Sequence, residues 1–153
     1  MTDHTPPHAP YIEAITAALT EANLTPEQAD AFVEDSYDVA YLRGVVTLTP
    51  DTSGIPADRY PHGLILIWDW HTGRDQEFDQ GPVWQWARSN DDGSNQWPYE
   101  PLPVPGFVAP EMLAATVATL AHTGTATPMN TPWHDHLRAP VEAAIEAWAA
   151  DNS

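Results

Sequence analysis

Four tryptophans occur in two closely spaced pairs, Trp68 with Trp70 and Trp84 with Trp86. Residues two positions apart in a β-strand face the same side, so each pair would present two indole rings together. Such a platform could stack on a sugar, a base or a partner's side chain, but clustered tryptophans more often form a buried core. We therefore expect a mainly buried aromatic cluster, in which Trp70, next to a predicted turn, is the member most exposed to solvent.

Histidines are densest in the segment Trp133-His134-Asp135-His136. A His-x-His spacing can share a metal ion on a strand, where both rings face the same way. Here Thr131-Pro132 predicts the start of a helix, in which residues i and i+2 diverge by about 200°. The chain has no cysteine, which excludes thiolate ligands and thiol catalysis. We therefore expect neither a metal centre nor a bound cofactor.

Carboxylates are so numerous that a pair near a tryptophan has little specificity as a catalytic signal. The G-x-S-x-G, P-loop, G-x-G-x-x-G and H-E-x-x-H motifs do not occur. We therefore name no catalytic residue and favour a binding or regulatory module over an enzyme. One alternative is a small enzyme or ligand-binding protein whose Trp-lined pocket contains one or two of Asp69, Glu77 and His71. Another is a structural or assembly component, and the sequence does not fix the oligomeric state.

Charge determines the kind of partner that the chain can attract. Five Arg and no Lys oppose 22 Asp and Glu residues among 153, which leaves 17 net negative charges with neutral His. Such a chain repels nucleic acid phosphates and anionic membranes and attracts basic proteins. We therefore predict a basic protein partner. The candidate binding residues are the N-terminal acids (Glu27, Asp30 and Glu34), the central acids (Asp75, Glu77 and Asp79), and the aromatic anchors Trp70 and Trp97.

Two helices are predicted near the N-terminus, after a mobile, Pro-rich tail at residues 1–9. The tail lacks the basic and apolar regions of a signal peptide, which predicts a soluble, cytoplasmic protein. Residues 11–22 place their large apolar side chains on one helix face. The motif Thr25-Pro26-Glu27-Gln28 is typical of a second helix start. That helix, to about Ser36, would align the N-terminal acids in one stripe, too short to mimic DNA alone.

Strands are predicted from residue 40 onward. Residues 40–48 are rich in Val, Leu and Tyr, with Gly44 as a possible bulge. Residues 63–70 form the strongest strand and are apolar on both faces, which indicates a central position in a sheet. A hairpin turn is predicted at residues 71–74, and residues 83–88 resume the strand pattern.

The last third of the chain combines a strap with two helices. Residues 97–110 hold five prolines, which favours an extended segment packed across the domain. Helices are predicted to begin at Pro110 and Pro140. The fold class is therefore α+β, with a small antiparallel sheet of three to five strands packed with two N-terminal and two C-terminal helices. A single domain is expected over residues 10–150.

Several short motifs occur together between residues 63 and 124. They are a strand ending in Trp-Asp at 64–69, a His-x-Gly turn at 71–73, a Leu-Pro-Val-Pro strap at 102–105 and an Ala-Pro-Glu helix start at 109–111. In these features the chain resembles a family of small actinobacterial or actinophage proteins. The resemblance implies a compact α+β domain and supplies no catalytic residue. A halophile is the other source that such an acidic composition suggests.

Overall fold

The computed structural model describes residues 6–36, 39–72, 81–92, 94–96, 99–133, 136 and 138–151. In chain order the elements are helix α1 (Ala9–Glu21), strands β1 (Gln28–Ser36) and β2 (Val39–Leu48), helix α2 (Pro50–Ser53), strands β3 (Leu64–His71), β4 (Gly81–Arg88) and β5 (Glu100–Pro101), and helices α3 (Pro110–Thr123) and α4 (Arg138–Asp151). The five strands form one antiparallel sheet in the order β1-β2-β3-β4-β5. The α+β class is therefore confirmed.

Strand β3 occupies the centre of the sheet, as its apolar sequence predicts, and all of its residues are buried. Its even-numbered residues, such as Leu66 and Trp68, join the main core beneath α1 and α3. Its odd-numbered residues face the opposite side, where Ile65, Ile67 and Ala87 form a second, smaller cluster. We call these two sides the helix face and the outer face of the sheet.

An aromatic core fills the helix face, as the tryptophan pairs predict. Trp68 and Trp84 lie directly opposite each other on β3 and β4, and both are fully buried. Tyr11 of α1 packs against the rings of Trp68, Trp84, Phe107 and Trp133, with centroids 4.8 to 6.2 Å apart. The hydroxyl of Tyr11 donates a hydrogen bond to the carbonyl of Val108 at 2.8 Å. This network joins α1 to the segment that precedes α3.

The prediction that Trp70 is the most exposed of the four tryptophans is wrong. Trp70 is 7% exposed, whereas Trp86 is half-buried. The reason is α4, whose Trp148 packs edge-on against the Trp70 ring with centroids 6.4 Å apart. A helix near the C-terminal end of the sequence therefore covers the strand end that the local sequence predicts to be exposed to solvent.

The second predicted helix is also wrong, because residues 28–36 form strand β1. This strand pairs with β2 along its whole length, from Gln28 opposite Thr47 to Ser36 opposite Val39. Its sequence alternates small apolar residues at 29, 31 and 33 with mainly polar neighbours, which is a two-residue period. Pairing with β2 overrides the helix-start signal at Thr25.

Gly44 lies in a regular strand, so the predicted bulge is absent. Strand β2 keeps a continuous register with both β1 and β3 through this residue. A Cβ atom at Gly44 would lie 2.5 Å from Cδ1 of Ile12. The glycine therefore allows α1 to pack closely on the sheet.

The Pro-rich strap is extended only in part: it contains a short strand, whereas residues 103–104 form a bend and residues 106–107 a turn. Residues Glu100–Pro101 form β5 at one edge of the sheet, beside β4. The indole nitrogen of Trp68 donates a hydrogen bond to the carbonyl of Gly106 at 2.7 Å. Pro82 lies against Gly106 so closely that a Cβ atom there would overlap its ring and carbonyl. The strap is thus held against the ends of β3 and β4.

The end of the predicted mobile tail is packed into the domain. His8 is fully buried and stacks on Trp68, with ring centroids 5.4 Å apart. Its Nε2 forms a 2.7 Å hydrogen bond with the carbonyl of Arg43. The tail prediction is therefore wrong for His8, and α1 begins directly after it. Helix α3 begins at Pro110 as predicted, and α4 begins at Arg138, earlier than the predicted Pro140.

Candidate binding site

A groove of about 480 Å³ lies between α1 and β1. Four of its eight lining residues are alanines, two on each wall. The lining residues are Ala9, Ile12, Glu13, Thr16 and Ala17 from α1, and Ala29, Asp30 and Ala31 from β1. A wall of this kind can accept a second extended chain without displacing a large side chain.

Strand β1 is an edge strand of the sheet. Among the described residues, no strand pairs with its outer side. In an antiparallel edge strand, alternate residues direct their backbone N–H and C=O groups away from the sheet. Alternate residues of the nine in β1 provide such groups over about 30 Å. The edge is therefore a template for hydrogen bonding to another extended segment.

Acidic side chains surround this edge. Glu13 and Asp30 are exposed at the rim of the groove, and the amide of Gln28 donates a 2.6 Å hydrogen bond to the Asp30 carboxylate. Asp30 and Glu34 both face the outer side of the sheet, about 13 Å apart along the strand. Glu27 is exposed just before the strand begins. The N-terminal acids therefore follow a strand edge instead of a helix face.

The nearest arginine on the sheet does not neutralise these acids. Arg43 lies opposite Phe32 of β1, but its guanidinium is bound to Asp69 of β3 by hydrogen bonds of 2.7 and 3.0 Å. The groove consequently keeps a negative rim.

The remaining candidate residues are not brought to this groove. Trp70 does not line it and lies two strands away from β1, opposite Leu42 of β2 at the end of β3 near α4. The central acids Asp75, Glu77 and Asp79, and Trp97, lie outside the described residues. Sequence reasoning missed Glu13 and Ala17, although both lie on the polar side of the amphipathic first helix. Only the packing of that helix beside β1 brings them to the groove.

A second concave site, of about 390 Å³, lies where the strap, β3 and α4 meet. Trp70, Phe107 and three prolines form its walls, and Glu142 and Glu146 of α4 lie at its rim. Arg138 is ion-paired with Glu142, and its guanidinium lies 5.6 Å from the centre of the Phe107 ring. The site is therefore an aromatic pocket with an acidic rim.

The acidic residues and the histidine expected in a Trp-lined pocket are not found among the described residues in the walls of this pocket. Asp69 and His71 lie on the outer face, whereas Trp70 between them in sequence points to the helix face. Glu77 is outside the described residues. The carboxylates near Trp70 come from α4, which sequence reasoning had not connected with this strand.

Asp69, Arg43 and His71 form a buried polar cluster on the outer face. The imidazole Nε2 of His71 lies 3.8 Å from the Asp69 carboxylate, and the ring stacks on Tyr41 at 4.9 Å. Burial alone would raise the pKa of Asp69, but the His71 ring and the Arg43 guanidinium outweigh it and lower that pKa. Asp69 is therefore ionised at neutral pH, as an ion-pair partner and not as a proton donor.

No family model, curated protein or solved structure matches the chain. Within the described ranges, no group of three or more His, Cys, Asp and Glu side chains is placed to hold a metal ion. In the same part of the chain, every helix is too short or too polar to cross a bilayer.

Proposed function

We propose that the protein is a non-enzymatic acidic binding module that recognises a basic segment of a partner protein at the groove between α1 and β1. The observation that carries this proposal is the open sheet edge beside an acidic, small-residue groove. Edge strands expose hydrogen-bonding groups that a partner can use. The carboxylates at the rim select positively charged partners.

The overall charge supports the same partner. Seventeen net negative charges attract a cation from a distance and accelerate its association, an effect that salt screens. Between described residues, only Arg43 and Arg138 form arginine–carboxylate pairs. Most carboxylates in that part of the molecule therefore remain available to a basic partner.

The test uses labelled poly-lysine of about 20 residues, whose binding is followed by fluorescence anisotropy at about 50 and 300 mM NaCl. Binding is expected to weaken as salt rises. The double variant Asp30→Asn/Glu34→Gln should bind about fivefold more weakly than wild type. Asp58→Asn/Glu111→Gln removes the same charge from exposed positions elsewhere, and should cost less than about twofold.

Two results would contradict the proposal. One is an affinity that does not change between the two salt concentrations. The other is an equal loss of affinity in both double variants, because the attraction would then belong to the whole surface and not to the edge formed by β1.

The pocket at Trp70 supports a second candidate function, the binding of a small organic cation. Its volume of about 390 Å³ lies in the range of small-ligand sites. Trp70 and Phe107 offer aromatic surface, and the exposed Glu146 offers negative charge. A thermal-shift screen of aromatic and alkyl amines tests this. Hits should lose their effect in Glu146→Gln, and hits that persist there would argue against this pocket.

A further inference from the structure

Resting on the proposed function, we propose that the basic partner segment binds to β1 as an added β-strand in which basic and small apolar residues alternate. Its basic side chains face Asp30 and Glu34 on the outer face. Its small apolar side chains enter the groove beneath α1. Three observations on the same edge lead to this arrangement: the backbone, the groove and the two rows of side chains.

The backbone supplies the frame for the added strand. A neighbouring strand lies about 4.8 Å from the edge strand, which is the spacing at which ladder hydrogen bonds form. In the described part of the chain, no other strand occupies that position beside β1. An extended peptide can therefore continue the sheet without any rearrangement of the strands already present.

The groove determines which side chains fit on the helix-facing side of the added strand. Ala29 and Ala31 of β1 face Thr16 and Ala17 of α1 across it. Small apolar side chains such as Ala or Val can enter it, because four of its eight lining residues are alanines. Farther along the same row, Val33 is 39% exposed. An apolar residue in the added strand would cover Val33, which is one of two large apolar side chains exposed in the described residues.

The outer face of the sheet determines which charge fits on the other side of the added strand. Asp30 and Glu34 are four residues apart on this face, so basic residues at i and i+4 of the added strand can lie opposite them. Side chains of a strand alternate between its two faces. A basic residue at every second position therefore places all basic side chains on the outer face and all apolar side chains toward the groove. Sequence order and not only total charge therefore controls affinity.

Four labelled nonapeptides test this with the full chain. One alternates Lys with Val, and a second has the same composition with all lysines first. The third and fourth are alternating peptides with N-methyl groups on the Lys amides or on the Val amides. The alternating peptide should bind about tenfold more tightly than the block peptide. Only one of the two methylated peptides should lose affinity, because an added strand directs one alternate set of amides toward β1.

A pair of protein variants locates the binding site. Ala17→Phe fills the groove from an exposed helix position and should weaken the alternating peptide about tenfold. Ala115→Phe makes the same change at an exposed position of α3 and should leave binding unchanged. Circular dichroism checks that both variants fold. The peptide comparison decides the question on wild-type protein even if Ala17→Phe does not fold.

The outcomes separate this inference from the function on which it rests. If the alternating, block and methylated peptides all bind equally and weaken with salt, strand addition is wrong and the acidic binding function stands. If the alternating peptide binds no better than an uncharged Thr-Val nonapeptide at low salt, strand addition and the acidic binding function are both wrong. Equal losses in both methylated peptides would also overturn strand addition.

Discussion

Asp69 is a carboxylate that the fold keeps buried in an already acidic chain. Its side chain is 6% exposed and that of its partner Arg43 is 23% exposed. Burial alone would raise the pKa of Asp69, but the His71 ring and the bidentate Arg43 guanidinium together outweigh that effect and lower it. Its contribution to stability is complete above the ordinary carboxyl pKa of about 4, and is lost as pH falls through the lowered folded value.

Replacement of Asp69 should therefore be costly. We expect Asp69→Ala to lower the free energy of unfolding by about 3 kcal/mol, because it leaves the Arg43 guanidinium without its partner in a partly buried position. Urea denaturation at pH 7 measures the change. Asp58→Ala, at an exposed turn, should change the same quantity by less than about 0.5 kcal/mol. Similar changes in the free energy of unfolding for the two variants would show that the ion pair does not contribute to stability.

His8 makes stability depend on pH near neutrality. Burial lowers the pKa of His8, although the hydrogen bond to Arg43 and the charge of Asp69 oppose that shift. Below its ordinary pKa of about 6.5, the unfolded chain takes up a proton that the folded chain resists. The contribution of neutral His8 is therefore complete above that pH and declines as pH falls toward the lowered folded value.

A His8→Phe variant tests this linkage, since it keeps a ring against Trp68 but cannot titrate. The stability advantage of wild type over the variant should shrink as pH falls from about 7.5 to about 5. Urea denaturation across this range measures it. His62→Gln, at an exposed position, controls for the loss of one imidazole. A constant difference between wild type and His8→Phe would exclude the linkage.

At the scale of elements, the contact between α1 and β2 depends on the absence of one side chain. A methyl group at Gly44 would overlap the end of Ile12, a buried residue of α1. We expect Gly44→Ala to lower the free energy of unfolding by about 2 kcal/mol, because the helix must move or Ile12 must change rotamer. Thermal or urea denaturation checks the value.

A double-mutant cycle assigns that cost to the Ile12 contact. A Cβ atom at Gly44 would lie 2.5 Å from Cδ1 and 2.8 Å from Cγ1 of Ile12. Ile12→Ala removes both atoms, so Gly44→Ala should cost less in the Ile12→Ala background than in wild type. Strict additivity of the two substitutions would instead place the cost in the strand backbone.

Strand β1 shows where local sequence fails as a guide to this fold. Ala, Glu and Gln favour helices, and Thr-Pro at the start strengthens that signal. The helix prediction fails because β2 offers a partner along the entire segment, and a sheet contact of that length outweighs local propensity. Phe32, on the outer face, also obscures the alternation of Ala29, Ala31 and Val33. Elsewhere, in α1, β2, β3 and α3, hydrophobic periodicity and the helix-start prolines predicted the element because local and tertiary preferences agree.

The candidate site was only partly visible in the sequence for the same reason. Asp30 and Glu34 were expected to share one face, and they do so on a strand instead of a helix. Glu13 and Ala17 could not be assigned, since no local pattern states which helix lies beside which strand. The Trp70 pocket likewise depends on α4, which is far from β3 in the chain.

For the whole molecule, charge opposes compactness. Seventeen net negative charges repel one another more strongly in the folded chain than in the expanded one. Raising NaCl from about 0.02 to about 0.3 M should therefore raise the melting temperature. Differential scanning calorimetry measures it, and tetramethylammonium chloride at equal ionic strength should act similarly. A melting temperature that falls with either salt would mean that the ion pairs outweigh the repulsion.

The hydrogen bond between Tyr11 and Val108 joins residues 97 positions apart. A ribosome adding about 5 to 20 residues per second needs roughly 5 to 20 seconds to cover that distance. During this time α1 has been made but its partners Phe107 and Trp133 have not. The apolar face of the helix and the tryptophans of β3 and β4 cannot be covered by these partners until then. Completion of the core is therefore an event late in synthesis.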